Sequence, residues 1–338
     1  MLARLRFENR FARGGFTLTE LFVAIFFVAI LVALLLQGLS GQRIRGPSRR
    51  AVCQNNLRQL ALASLNYESA RLKLPPGVID DDGDLTDAMH TGFVSILPFL
   101  ELNNLYDELD LSESWKSENN MRYVTTPLPA FVCQSNPDRR VAQTDDGGFA
   151  GAVSDYAFCK GAEGYLGLDK QFQNGAFDVN SEVKISQFTD GTSNTILLGE
   201  AASNPVIRTG VGGEFGLGQL WVKADFDGDH GFGNEGGRGS CLAVTGQHPG
   251  PDNEWGTDDD LLTPIGQNPS ELSVDNGGGG VFEHATDRVR GFFGFHDKVI
   301  HFAYADGSTH SIPTSVDPKI MILLSIRNDG KKIETQNF

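Results

Sequence analysis

The sequence predicts an α+β protein: a long N-terminal helix, apolar in its first half and amphipathic in its second, packed on a β-rich body. Three observations carry this expectation. From Leu21 to Leu36 the chain is an unbroken run of sixteen apolar residues. Across residues 49–70, Cys53, Leu57, Leu60, Ser64 and Tyr67 recur every three or four positions, with Ala61 and Leu65 widening the stripe, which is the period of a helix with one buried face. Beyond Pro75-Pro76-Gly77, short β-branched and aromatic runs alternate with Gly, Asn and Asp, and 40 glycines suit a body of strands and loops.

Each element has its own local signal. Phe16 to Leu36 is 21 residues, a helix of ~31 Å, about the thickness of a bilayer's hydrocarbon core. Residues 1–15 carry Arg4, Arg6, Arg10 and Arg13 against Glu8, a net +3, which holds this end on the cytoplasmic side of a membrane. The apolar run closes on Gln37-Gly38-Leu39-Ser40-Gly41, a poor signal-peptidase site. Gly46-Pro47 predicts a kink or interruption before the amphipathic half. Short helices are expected over Leu102–Leu109 and residues 317–327, the second with Asp317 as N-cap, Pro318 at its first position and Gly330 closing it. Thr195 to Glu200 reads as a buried strand ending in an acid. Val299–Ala305 and Ser308–Ile312 read as a hairpin about Asp306-Gly307. With a two-residue turn, Ala303 faces His310 and Ile312 faces His301, leaving the two histidines diagonal on one face, ~7–8 Å apart. Residues 202–282, rich in Gly, Asp and Asn, read as long loops or an insertion.

The chemistry is sparse. The net charge is −15 over 338 residues, and −18 without residues 1–15, which excludes nucleic acid as the main partner. Asp225, Asp227 and Asp229 space three carboxylates two apart, as a loop wrapping Ca²⁺ would, but His230 replaces the glycine and Gly236 the glutamate of an EF-hand. Asp80–Asp84 and Asp258–Asp260 are further acidic runs. Two histidines alone do not make a zinc site. Cys53, Cys133, Cys159 and Cys241 allow three disulfide pairings; Cys133–Cys159 closes the shortest loop and is the favoured one. Ser193, His296 and Asp190 are triad residue types, but no Gly-x-Ser-x-Gly elbow precedes a helix. The chain reads as a non-enzyme.

Gly14-Gly15-Phe16-Thr17-Leu18-Thr19-Glu20, with the basic stretch before it and the apolar run after it, resembles the processing site of type IV pilins and type II secretion pseudopilins. The resemblance implies cleavage by a prepilin peptidase between Gly15 and Phe16, N-methylation of Phe16, and a register role for Glu20 opposite the new amine of a neighbouring subunit. A buried or lipid-edge carboxylate is costly unless paired. The implied partners are the peptidase, other pilin or pseudopilin subunits, an inner-membrane assembly machine and lipid. The implied course runs from a single-pass inner-membrane protein with its head in the periplasm to a filament.

A second resemblance covers most of the chain. Cys53-Gln54-Asn55-Asn56-Leu57-Arg58-Gln59-Leu60, Ser95-Ile96-Leu97-Pro98-Phe99-Leu100, Phe131-Val132-Cys133-Gln134-Ser135, Ile185 through Glu200, and His296 with Ala305-Asp306-Gly307-Ser308 are similar, in order, to landmarks of the prepilin-like DUF1559 family. Gln134 replaces a usual proline, and Asp297-Lys298 a glycine-rich pair. The resemblance implies a leader over 1–15, a membrane or filament-core helix over 16–37, an amphipathic helix over 38–76 and a pilin-like head over 77–338. The second expectation for function is a membrane-anchored ligand-binding module that does not polymerise.

Overall fold

The computed structural model describes residues 17–39, 45–81, 89–136, 141–143, 150–162, 173–201, 206–208, 214–216, 219–221, 241–248, 261–262, 291–296 and 298–331. The chain divides into two units, Met1–Ser48 and Arg49–Phe338.

In the first unit, α1 covers Leu18–Leu39. Thr17 and Glu20 start it with a reciprocal cap. The Thr17 amide donates to Glu20 Oε2 at 2.9 Å, the Thr17 hydroxyl donates to the same oxygen at 2.8 Å, and the Glu20 amide reaches Thr17 Oγ1 at 3.4 Å. This is the Thr-x-x-Glu capping box, which occupies amides that a helix start leaves without partners. Every side chain from Thr17 to Val32 is exposed, among them Phe22 (65 %), Phe26 (63 %) and Phe27 (60 %). Among the described residues no helix is long and apolar enough to cross a membrane.

Helix α2 spans Arg45–Arg71. Gly46 and Pro47 therefore lie in its first turn, where a proline's missing N–H costs nothing. The expected break does not fall on them, because α1 ends at Leu39 and α2 starts at Arg45. From Arg49 onward α2 belongs to the second unit. It buries Cys53, Asn56, Leu57, Leu60, Ala61 and Ser64, with Leu65 and Tyr67 packed at the edge.

The centre of the second unit is a five-stranded sheet. Its strands are β1 (Tyr156–Gly161), β2 (Ile196–Glu200), β3 (Leu242–Val244), β4 (Val299–Tyr304) and β5 (Thr309–Pro313), in the order β3-β1-β2-β4-β5. The β3–β1 pair is parallel and the others antiparallel. The fold is thus a mixed α+β arrangement. All five residues of β2 are buried, so both sheet faces are covered. On one face α2 packs with Phe158, Leu198 and Ala303; Phe93, Phe158 and Phe177 stack there at 4.1 and 4.2 Å between ring centroids. On the other face α3 (Pro318–Ser325) places Met321 and Leu324 against Ile196, Ile300, Phe302 and Ile312. The Asp317 carboxylate caps α3, accepting from the Lys319 amide at 3.0 Å. The short helix expected near Leu102 covers Asn103–Glu108.

The hairpin corrects one expectation. Three residues, Ala305-Asp306-Gly307, form its loop: the Tyr304 amide donates to the Ser308 carbonyl, and Gly307 takes φ +81°. A three-residue loop with glycine in the left-handed region is a standard alternative to the two-residue turn. The slip of one residue sets His301 opposite Ser311 and His310 opposite Phe302. Successive side chains point to opposite faces, so the two histidines do not share one.

A buried ion pair and a half-buried histidine follow from the same packing. Lys160 of β1 is fully buried, its Nζ 3.0 Å from Asp178 Oδ2. Burial raises the Asp178 carboxyl above its ordinary range while the Lys160 ammonium pulls it down. His90, paired with Ile79 in a two-residue ladder, is pushed down to about 4 by burial, with Asp81 opposing. A depressed imidazole pKa contributes stability that is complete above the unfolded value of ~6.5 and is lost as pH falls toward the folded one. We expect His90 to cost the fold about 2 kcal/mol at pH 5 relative to pH 7, at ~1.4 kcal/mol per pKa unit. Urea midpoints measured at both pH values should show the loss, and His90→Gln should flatten it.

Candidate functional site

Four side chains from four separate elements meet at the α2 face of the sheet. Cys53 comes from α2, Cys133 from the loop after the 3₁₀ turn Pro129–Phe131, Glu200 from the end of β2, and His296 from the segment leading into β4. All are buried, between 0 and 4 % exposed. Cys53 and Cys133 form a disulfide with Cα atoms 5.1 Å apart. His296 Nε2 lies 3.0 Å from Glu200 Oε1 and 3.6 Å from Cys133 Sγ, and Glu200 Oε1 lies 3.9 Å from that sulfur. One ligand-type atom from each of the four falls within 4.8 Å of all the others.

The surroundings fix these groups. The His301 amide donates to Glu200 Oε2 at 2.9 Å, which holds the other carboxylate oxygen toward His296. Ser135 Oγ lies 3.5 Å from His296 Nδ1. Asp155, also buried, accepts from the Cys133 amide at 2.6 Å and from Asn136 at 2.8 Å, fixing the loop that carries Cys133. Asn56 on α2 donates to the Pro129 and Val132 carbonyls at 3.2 and 3.1 Å, tying the same loop to the helix. Gly199 precedes Glu200; a β-carbon there would come within 2.7 Å of the Phe292 and Phe302 rings, so only glycine lets the chain that leads to His296 lie this close. The His301 ring lies against His296, centroids 4.6 Å apart and planes tilted by 52°. Its Nδ1 faces Ser311 Oγ at 2.8 Å, and its buried Nε2 has no hydrogen-bond partner among the described residues. Burial, first, and then the neighbouring His296 and Arg50 lower its pKa, against the pull of Glu200.

The favoured Cys133–Cys159 bridge is corrected here. Cys159 is on β1 between Phe158 and Lys160 and faces the α3 side of the sheet, whereas Cys53 and Cys133 lie in the core on the α2 side. Alternation along the strand keeps the Cys159 sulfur on the wrong face. Cys159 and Cys241 are buried free thiols; burial pushes Cys159 up to about 12 and raises Cys241 as well, which makes both inert. The triad types are not assembled. Asp190 accepts from the Asp329 and Gly330 amides, Ser193 is exposed and bonds Asp306, and His296 pairs with Glu200. Gly15, Phe16 and the Ca²⁺ candidates Asp225, Asp227 and Asp229 lie outside the described residues, as does the run Asp258–Asp260.

The profile of one protein family, described as a protein of unknown function (DUF1559), matches residues 42–319, most of the chain. The chain belongs to the DUF1559 family. No curated protein and no solved structure matches it.

For this DUF1559 protein, the convergence has a sequence counterpart. Four of the segments quoted above as family landmarks supply one member each: Cys53 from the first, Cys133 from the Phe131–Ser135 box, Glu200 from the end of the Ile185–Glu200 stretch, and His296 from the last. Read singly, they look like turn, strand and cap devices. The signal that could have exposed the site is that four of the five landmarks carry a cysteine, a glutamate or a histidine. No spacing motif marks it, because the four ligand-type residues lie on four elements.

Proposed function

We propose that this DUF1559 protein is a type IV pilin-like or pseudopilin subunit, cut by a prepilin peptidase between Gly15 and Phe16 and built into an envelope filament through α1. The supporting observation is the character of α1: from Leu21 to Val32 its side chains are apolar and exposed around the whole circumference. A helix apolar on every side needs lipid or other helices around it. The membrane reading rests on the sequence, where Phe16 to Leu36 is a mostly apolar stretch of 21 residues, about a bilayer core in length as a helix. In this reading the subunit waits in the inner membrane with residues 1–15 cytoplasmic and the acidic head in the periplasm. Lipid contacts then give way to helix contacts in the filament.

Glu20 supports a specific version of assembly. In the single chain its carboxylate occupies the helix's own cap through Thr17. Insertion beside a neighbour would trade that cap for the neighbour's Phe16 amine. Glu20→Gln keeps the capping geometry and removes the charge, while Glu20→Ala removes both. Both variants should be cleaved normally and both should fail to enter filaments, with a loss of tenfold or more in sheared-fibre yield. If Glu20→Gln assembles like the native chain, the charge pairing is wrong. Mass spectrometry of the mature N-terminus tests the whole reading: methylated Phe16 is expected, and retention of Met1 to Gly15, or loss of all of α1, overturns it. A processed protein never found in fibres would mark an anchored ligand-binding module instead.

A further inference from the structure

We propose that Cys53 Sγ, Cys133 Sγ, His296 Nε2 and Glu200 Oε1 are the ligands of a tetrahedral transition-metal site of the Zn²⁺ class, made available when a dithiol reduces the Cys53–Cys133 disulfide. The site does not depend on whether the chain enters a filament.

The geometry supports this in detail. A tetrahedral ion with bonds of ~2.3 Å to sulfur and ~2.0 Å to nitrogen or oxygen requires ligand–ligand edges of ~3.3 to ~3.8 Å. The edges from His296 Nε2 to Cys133 Sγ, from Glu200 Oε1 to Cys133 Sγ and from Glu200 Oε1 to His296 Nε2 are 3.6, 3.9 and 3.0 Å. They need to move by only a few tenths of an ångström. The edges from Cys53 Sγ to His296 and Glu200 lie within 4.8 Å, and the edge between the two sulfurs must open, which reduction allows. The outer groups are also those of a metal site: the second oxygen of Glu200 is held by the His301 amide at 2.9 Å, and the second nitrogen of His296 faces Ser135. Such outer partners fix the direction of ligand lone pairs. Two thiolates and an imidazole favour zinc-like ions over calcium or magnesium. Four protein ligands, all buried, leave no open position, which makes the site structural and not catalytic.

The redox step balances. A dithiol gives two electrons and two protons to the Cys53–Cys133 bond and closes its own disulfide, leaving two thiols. Metal binding then releases those two protons to water as the thiolates form. The consequence is continuity: α2 stays tied to the Phe131–Ser135 loop by the disulfide under oxidising conditions and by the ion under reducing ones.

The test uses the full chain in detergent micelles. One sample is oxidised; another is reduced with a dithiol and desalted without oxygen. Both are titrated with Co²⁺. The reduced chain should bind one equivalent, with a near-ultraviolet thiolate-to-cobalt band and tetrahedral visible bands that Zn²⁺ displaces; the oxidised chain should show neither. Cys53→Ser with Cys133→Ser should abolish the band, His296→Ala and Glu200→Ala should weaken binding at least tenfold, and Cys159→Ser with Cys241→Ser should leave it intact. The proposal is overturned if the reduced native chain shows no charge-transfer band, or fails to hold or regain its near-ultraviolet circular dichroism with one equivalent of Co²⁺. It is equally overturned if the band survives Cys53→Ser with Cys133→Ser or disappears with Cys159→Ser and Cys241→Ser. The native comparison stands by itself should a variant not fold.

Discussion

Lys160→Met should destabilise the head by about 3–5 kcal/mol, the cost of leaving one member of a buried ion pair without its partner. Lys160 and Asp178 are 0 and 2 % exposed and 3.0 Å apart. Removing the ammonium strands a carboxylate whose pKa burial already raises. Water cannot reach it, so the penalty is that of an uncompensated buried charge. Arg327 lies close enough to influence Asp178, but its guanidinium is committed to the Gln173 and Gly175 carbonyls. Asp178→Asn should cost a similar amount. The double variant Lys160→Met, Asp178→Leu should recover most of the loss, because the desolvation of both charges disappears together. Urea unfolding of the full chain in detergent gives all three values. A single-variant loss below about 1 kcal/mol would mean that solvent or another cation compensates Asp178.

Loss of the Cys53–Cys133 bridge is the second large effect. The bond joins residues 80 apart. Chain entropy alone gives such a loop about 4–5 kcal/mol at 25 °C, within a usual range of 0–5. Cys53→Ser, Cys133→Ser or the pair should each lower stability by that order under oxidising conditions. With a dithiol and a chelator present, native and variant proteins should converge. Cys159→Ser, which opens no loop, should produce no comparable drop. If it did, the pairing would be wrong. The bridge ties α2 to a loop that Asn56 and Asp155 also hold, so its loss should loosen α2 before the sheet. Hydrogen exchange on residues 50–65 would report that order.

Much of the architecture was legible because its signals are local. The stripe Cys53, Leu57, Leu60, Ala61 and Ser64 is buried, since helical period alone sorts one face from the other. Asp317 and Pro318 mark the start of α3, and residues 196–200 form a buried strand. The hairpin was placed correctly and registered wrongly. Asp306-Gly307 fits either a two- or a three-residue loop, and the choice depends on how β4 packs between β2 and β5. That single residue moved His301 away from His310 and under α2, beside His296.

By itself, the sequence determined the elements: an apolar rod at one end, an amphipathic helix after it, a strand-rich body and the turn that closes its hairpin. Periodicity and turn chemistry act over a few residues and leave their record in the chain. Only the tertiary structure decided that Cys133 joins Cys53, that Lys160 finds Asp178, and that Glu200 meets His296. Those partners lie 18 to 96 residues apart. Their meeting depends on which strand neighbours which and which face each side chain takes, and no local pattern encodes that.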